Sequence, residues 1–271
     1  MPTGRAPCGI AGRAGSLWIG VYEAGVILQL DAMRGRTEAR VSVGRWACRV
    51  AVGPAAVWVT RDRAGELVRV SRGTGRIERL RVGAGAFDVL LARRSVWTTS
   101  YDTGAISRIA TGTRRVLRVF KDGGYPAGLT LCRGRIWIGH GREATWLSSI
   151  DPDANSVRRF DVGVTTPSWP RCVGGDLWVT APGTILKVDA STGAVLARLS
   201  VGGTPAEAGV GPDGLVWVTD KERSLIHRIR AQPVAVIDSF PAGPGAFSLA
   251  RAGASMWVTS FAGADVRRFD P

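Results

Sequence analysis

Seven tryptophans, Trp18, Trp58, Trp97, Trp137, Trp178, Trp217 and Trp257, follow one another at intervals of 40, 39, 40, 41, 39 and 40 residues. A period near 40 that runs through almost the whole chain restricts it to a repeat architecture. The unit around Trp58 reads "CRVAVG", "AVWVTR", "ELVRVS" and "RIERLRVG", four short segments divided by turn residues. That is the pattern of four strands per repeat. The residue before each tryptophan is Leu17, Val57, Val96, Ile136, Leu177, Val216 or Met256. An apolar residue next to the indole places burial on both faces of that strand, so its sheet must lie between two others. A buried tryptophan removes roughly 150–250 Å² from water, worth about 4–6 kcal/mol at ~25 cal/mol/Å².

A radial array of sheets meets these conditions and hides most strand edges. The expected fold is all-β: one seven-bladed β-propeller over residues 1–271, its blades four-stranded and antiparallel and its last blade incomplete. Thirty-six glycines and 14 prolines supply the many turns. The final unit stops after "ADVRRFDP", a third strand. The first residues, "MPTGRAPCGIA", match the inter-blade phrase "LSVGGTPAEAGV" and so carry the tail of a closing strand. On this reading the sequence begins inside an outer strand, and an export signal upstream stays open. No apolar run is long enough to cross a membrane as a helix, no signal-peptide core is visible in the first twenty residues, and a monomer is expected.

The phrases "VWVT", "LVRVS" followed by "TG", and "VG-x-x-P" resemble those of the YVTN-repeat β-propellers, with tryptophan in the tyrosine slot. "GPDGLVWVTD" resembles the related virginiamycin B lyase-like (streptogramin lyase) propellers. The resemblance covers all seven units and implies the fold; such propellers carry many functions and are often exported. The lyase activity would require histidines and a glutamate on late blades for metal-assisted proton transfer. At the matching positions stand Ala206 or Glu207 and Ala246 or Phe247, and the loop after Trp257 offers Ser260 and Phe261. Alanine and phenylalanine cannot replace an imidazole's near-neutral acid–base chemistry. No catalytic set, metal or cofactor is therefore expected.

In a propeller the inter-blade connections share one face with the loops between second and third strands. The former bring Trp46, Phe87, Tyr125, Trp169 and Phe247, with Arg49, Asp88, Arg171 and Glu207 beside them. The latter bring Tyr22, Tyr101, His140, Glu143, Trp146, Asp220 and Phe261. Rings and mixed charge at a channel mouth have the character of a ligand site. The expected binding set is Trp46, Arg49, Phe87, Asp88, Tyr125, His140, Trp169, Arg171, Glu207 and Phe247, and the partner a small molecule, peptide or protein. The other reading is that these rings plug the channel, and for His140 an incidental polar residue is favoured over a ligand contact. The opposite face carries plain turns such as "GPDG", "DASTG" and "SRGTG".

The formal net charge is +14, with only Lys121, Lys187 and Lys221 as lysines. Arg76, Arg79, Arg81, Arg114, Arg115, Arg118, Arg158 and Arg159 fall in or next to outer strands, where charge guards an exposed edge. Single-stranded nucleic acid needs stacking rings along a basic groove; the rings are present but no focused groove is evident, so that partner is not favoured. "DPDANS" at 151–156 lacks the glycine and glutamate of a calcium loop and reads as a turn. His227 reads as an ordinary strand residue. Cys8 and Cys48 occupy equivalent positions one repeat apart, and Cys132 and Cys172 lie near inner-strand ends. Four buried free thiols are expected, with cross-blade disulfides as the alternative wherever inner strands approach closely enough.

Overall fold

The computed structural model describes residues 1–270. Among them, 27 strands form seven antiparallel sheets in strict sequence order, six of four strands and a last one of three. The blades span 7–42, 47–81, 86–121, 125–161, 169–200, 205–241 and 246–269. No helix occurs among the described residues. In blade two, for example, Ala47–Val52 lies innermost, followed outward by Ala56–Arg61, Glu66–Ser71 and Ile77–Arg81.

The repeat tryptophan explains the period. Each sits on its blade's second strand and is buried in the junction with the following blade. Trp18 packs with Val50, Val57 and Val68 of blade two, and Trp58 with Val89, Val96 and Ile109 of blade three. The pattern continues around the wheel until Trp257 packs with Ile10, Leu17 and Leu28 of blade one. Seven junctions thus take one indole each, none more than 5% exposed.

A second device works at the same junctions. Two residues after five of the tryptophans stands a threonine whose hydroxyl donates to a carbonyl of the next blade's inner strand. Thr60 bonds Phe87 O at 3.2 Å, Thr99 bonds Ala127 O at 2.8 Å, Thr180 bonds Ala206 O at 2.6 Å, Thr219 bonds Phe247 O at 2.6 Å and Thr259 bonds Cys8 O at 2.9 Å. In blades one and four the position is Gly20 or Gly139. There the next strand lies so close that a Cβ would fall 2.1 Å from Cys48 O or 2.2 Å from Ser168 O.

The cysteines correct the sequence reading. Cys8–Cys48 and Cys132–Cys172 are disulfides, and no free thiol remains. The Cα atoms lie 4.9 and 5.4 Å apart, inside the bridgeable range. The bridges join blades one to two and four to five, the two junctions that have glycine in place of the threonine clasp. Free thiols were expected on the premise that neighbouring inner strands stay too far apart; the glycine junctions remove that separation.

Blade seven is thin, as expected. Asp265–Phe269 is its third strand, and the first residues of the chain lie against its start. Pro2 bridges Asp265, Val266 N donates to Met1 O at 2.9 Å, and Thr3 N to Ala264 O at 3.1 Å. The outer-strand arginines lie where the sequence placed them, as do the turn bonds of Asp151, whose Oδ1 accepts from Asp153 N and Ala154 N at 2.9 and 3.0 Å.

Candidate functional site

Strand register sets the inner wall. The residue after each repeat tryptophan pairs with Ile10, Val50, Val89, Leu129, Pro170, Ala208 or Leu249. Immediately before those partners stand Gly9, Arg49, Asp88, Gly128, Trp169, Glu207 and Ser248. One position repeated seven times therefore brings two opposite charges, a further carboxylate, a hydroxyl and an indole to the wheel's centre.

Four of the predicted residues meet there as one ionic network. The Arg49 guanidinium donates Nη1 and Nη2 to the two oxygens of Glu207 at 3.0 and 2.9 Å, and Nε to Asp88 Oδ1 at 3.1 Å. Arg171 donates Nε and Nη2 to Glu207 Oε1 at 2.8 and 2.6 Å. Ser248, which the sequence reading omitted although it holds the same repeat position, donates to Glu207 and accepts from Arg49 at 3.1 Å. Asp88 Oδ2 takes the Leu129 amide at 2.8 Å. Arg49, Asp88 and Glu207 are all buried, so two cations balance two anions in a desolvated setting, as buried charge requires.

The network determines its own protonation. Burial alone would raise the Glu207 carboxyl, but Arg171 and Arg49 outweigh it and hold the group at about 2. Burial likewise opposes the charge of Arg49, and Glu207 and Asp88 overcome it, so the guanidinium stays ionised. Glu207 is thus a fixed anion of low basicity.

Above this network runs a continuous series of rings. Tyr22–Phe261 centroids are 6.2 Å apart, Phe261–Phe247 6.1 Å, Phe247–Trp169 5.8 Å, Trp169–Phe87 5.4 Å, Phe87–Tyr101 5.1 Å and Tyr101–Tyr125 5.4 Å. The Arg49 guanidinium lies 4.8 Å from the Trp169 ring centroid, a cation–π contact that couples the two layers. Phe87, Trp169, Phe247 and Phe261 line a cavity of about 440 Å³ at the channel mouth. Asp62, Arg63 and Lys221 form polar parts of its wall, and the Cys8–Cys48 bridge forms another part.

Tyr22 closes one side. Its hydroxyl donates to Asp62 at 2.8 Å. Burial first, and then the bond to Asp62 and its charge, push the phenol up to about 12. Burial also raises the Asp62 carboxyl, partly offset by Tyr22. Lys221 stands 5.5 Å from the Phe261 centroid. Asp62, Arg63 and Lys221 were not selected from the sequence. Their signal was position alone, since each follows a second strand on the face that also carries the rings.

The remaining predicted residues lie apart from this cavity. Trp46 is half-buried, at a φ of 70°, with Arg45 5.9 Å from its ring. Tyr125 ends the ring series and lines a shallower depression with Arg142 and Trp146. His140 is fully buried; its Nε2 is 2.9 Å from Ser148 Oγ and 3.2 Å from Asp122. Arg159 donates to the same Asp122 at 2.9 Å. His227 is a buried strand residue whose Nδ1 meets Ser239 Oγ at 2.7 Å. Among the described residues no cluster of three or more histidine, cysteine or acidic side chains is arranged to hold a metal ion.

By sequence, no protein-family model matches the chain, and neither does any curated protein. Its structure is similar to that of a streptogramin B lyase, at a TM-score of 0.85 and 15% identity, over 98% of this chain and 93% of the other. It is also similar to a catalytically inactive virginiamycin B lyase from Staphylococcus aureus with quinupristin, at a TM-score of 0.84 and 17% identity, over 97% and 94% of the two chains. The fold shared with these lyases is the β-propeller. This propeller is equally similar to Kuenenia stuttgartiensis hydrazine synthase, at a TM-score of 0.86 and 14% identity, over 99% and 96%. At such identities the likeness extends to the fold alone, and chemistry must be argued from the site.

Proposed function

We propose that the propeller is a non-enzymatic binding module whose ring-lined cavity takes a small molecule or short peptide bearing a flat apolar group. The observation that carries this reading is the juxtaposition of Phe87, Trp169, Phe247 and Phe261 around one cavity, with rings at stacking or edge distances from one another. A concave, mainly apolar site with a few polar groups is the usual form of a small-ligand pocket. Asp62 and Lys221 on its wall would orient the polar part of a ligand. Glu207 is committed to two arginines, and His140 and His227 are buried outside the cavity. That arrangement favours binding over proton transfer.

The second reading is a metal-assisted lyase, favoured by the fold likeness to two streptogramin lyases. Quinupristin, present with one of those proteins, serves as the probe for both. Under the binding reading, tryptophan fluorescence changes saturably on titration, the compound is recovered intact, and a Trp169→Ala, Phe247→Ala double variant loses the response. Linearised product whose formation EDTA abolishes would replace this reading with the lyase. If quinupristin and a panel of aromatic peptides bind the double variant as well as the parent, the cavity is wrongly placed.

A further inference from the structure

The face expected to carry only plain turns holds a second cavity, of about 640 Å³, between blades two and three. Two hairpins wall it, at 53–56 and 91–95, and the repeat tryptophan Trp58 contributes part of its lining. Arg13, Arg69, Arg93 and Arg94 also line it, and no carboxylate does. Glu78 reaches Arg69 Nη1 at 2.8 Å, and Asp153 reaches Arg93 Nη2 at 2.8 Å. The guanidinium groups of Arg13 and Arg94 have no ion-pair or hydrogen-bond partner among the described residues. Arg69 Nε is buried and unpartnered, which is costly for an ionised donor.

The backbone supplies an independent argument. In blades one, four and five the two-residue turn between first and second strands holds both central residues at positive φ. The pairs are Ala14–Gly15 (48° and 77°), Arg133–Gly134 (44° and 79°) and Gly174–Gly175 (63° and 86°). Each has glycine second, as such a turn prefers. At the cavity lip the pair is Arg93–Arg94, at 52° and 55°. Arg94 is thus held in a left-handed conformation where those three turns have glycine, and strain of this kind collects at functional sites.

We propose that this cavity binds a small multivalent oxyanion, phosphoryl or polycarboxylate, gripped by Arg13, Arg69 and Arg94 beside Trp58. A guanidinium's fork of donors matches the paired oxygens of such groups, and Arg13 and Arg94 bring such forks to the cavity wall. The site lies on the opposite face from the ring-lined cavity and stands or falls without it.

The test is calorimetric titration with pyrophosphate and, in a separate arm, citrate at low salt. Saturable one-to-one binding is expected, and the stronger arm identifies the anion class. Arg94→Gly should weaken binding at least tenfold while raising the thermal midpoint, because glycine relaxes the turn. Arg13→Ala should also weaken it, and Arg115→Ala, next to an outer strand, should not. The proposal is overturned if neither anion binds saturably at millimolar concentration, if Arg94→Gly binds like the parent, or if Arg115→Ala weakens binding equally. Binding of an oligonucleotide, steeply salt-dependent, without binding of either small anion would overturn it in favour of a polyanion surface.

Discussion

The Thr259 hydroxyl donates to the Cys8 carbonyl at 2.9 Å, across 251 residues of sequence. The join between last blade and first therefore uses the same clasp as the joins after blades two, three, five and six. Trp257 reinforces it by packing into blade one.

Thr259→Val keeps the shape but strands the Cys8 carbonyl and the Ser248 amide, which donates to Thr259 Oγ1 at 3.0 Å. A loss of about 1–3 kcal/mol is expected, read as a lower denaturant midpoint at unchanged slope. Gly20→Thr, made to install a clasp at the first junction, should destabilise instead, because its Cβ would meet Cys48 O at 2.1 Å.

Each disulfide closes a loop with a sequence separation of 40. Chain entropy puts the stabilisation of such a bridge at about 4 kcal/mol, with about 2–5 kcal/mol usual on removal. Replacing Cys132 and Cys172 together by alanine should lower the unfolding free energy by that order. Thiol titration of the unreduced, denatured parent should find none of the four cysteines free.

Stability in acid should follow Glu207. Its carboxyl titrates at about 2 in the native protein, below its ordinary value, so the unfolded chain binds the proton first. The contribution is complete above the unfolded value near 4.3 and is lost as pH falls through about 2. It is on the order of 3 kcal/mol. Glu207→Gln leaves two arginines undercompensated in the channel and should cost about 3–5 kcal/mol at neutral pH. Urea titrations from pH 2 to 7 measure both, and a variant as acid-sensitive as the parent would rule the assignment out.

Tyr22 should ionise late. With burial and Asp62 both raising it, its absorbance titration is expected near 12, and Asp62→Asn should move it down towards 10. An unmoved midpoint would mean that burial alone holds the phenol.

The period of the tryptophans made the wheel legible, because a constant interval encodes a constant junction. Arg49, Asp88, Arg171 and Glu207 were identifiable as channel residues from their inter-blade position. Their mutual neutralisation was not, since Arg49 and Glu207 lie 158 residues apart and only ring closure brings them together. Ser248 was missed because a single serine carries no chemical signature without that register. The disulfides had a signal in the sequence: each pair is one repeat apart, and Gly20 and Gly139 replace threonine in the same two blades. Reading it required knowing that the residue two after the tryptophan faces the next blade's backbone. Arg94 resembled any surface arginine until its φ placed it where the matching turns of blades one, four and five have glycine.

Both covalent links tie neighbours in the chain, blade one to two and blade four to five. Neither depends on the wheel having closed. Each can therefore be made while the polypeptide is still an open arc, as soon as two successive units have folded. The final seam between blades seven and one is left to groups that engage reversibly, the Thr259 hydroxyl, the Trp257 indole and the two backbone bonds between Met1, through its terminal ammonium and carbonyl, and Val266. Oxidation can fix the early order of assembly, while the last step stays free to open and re-form.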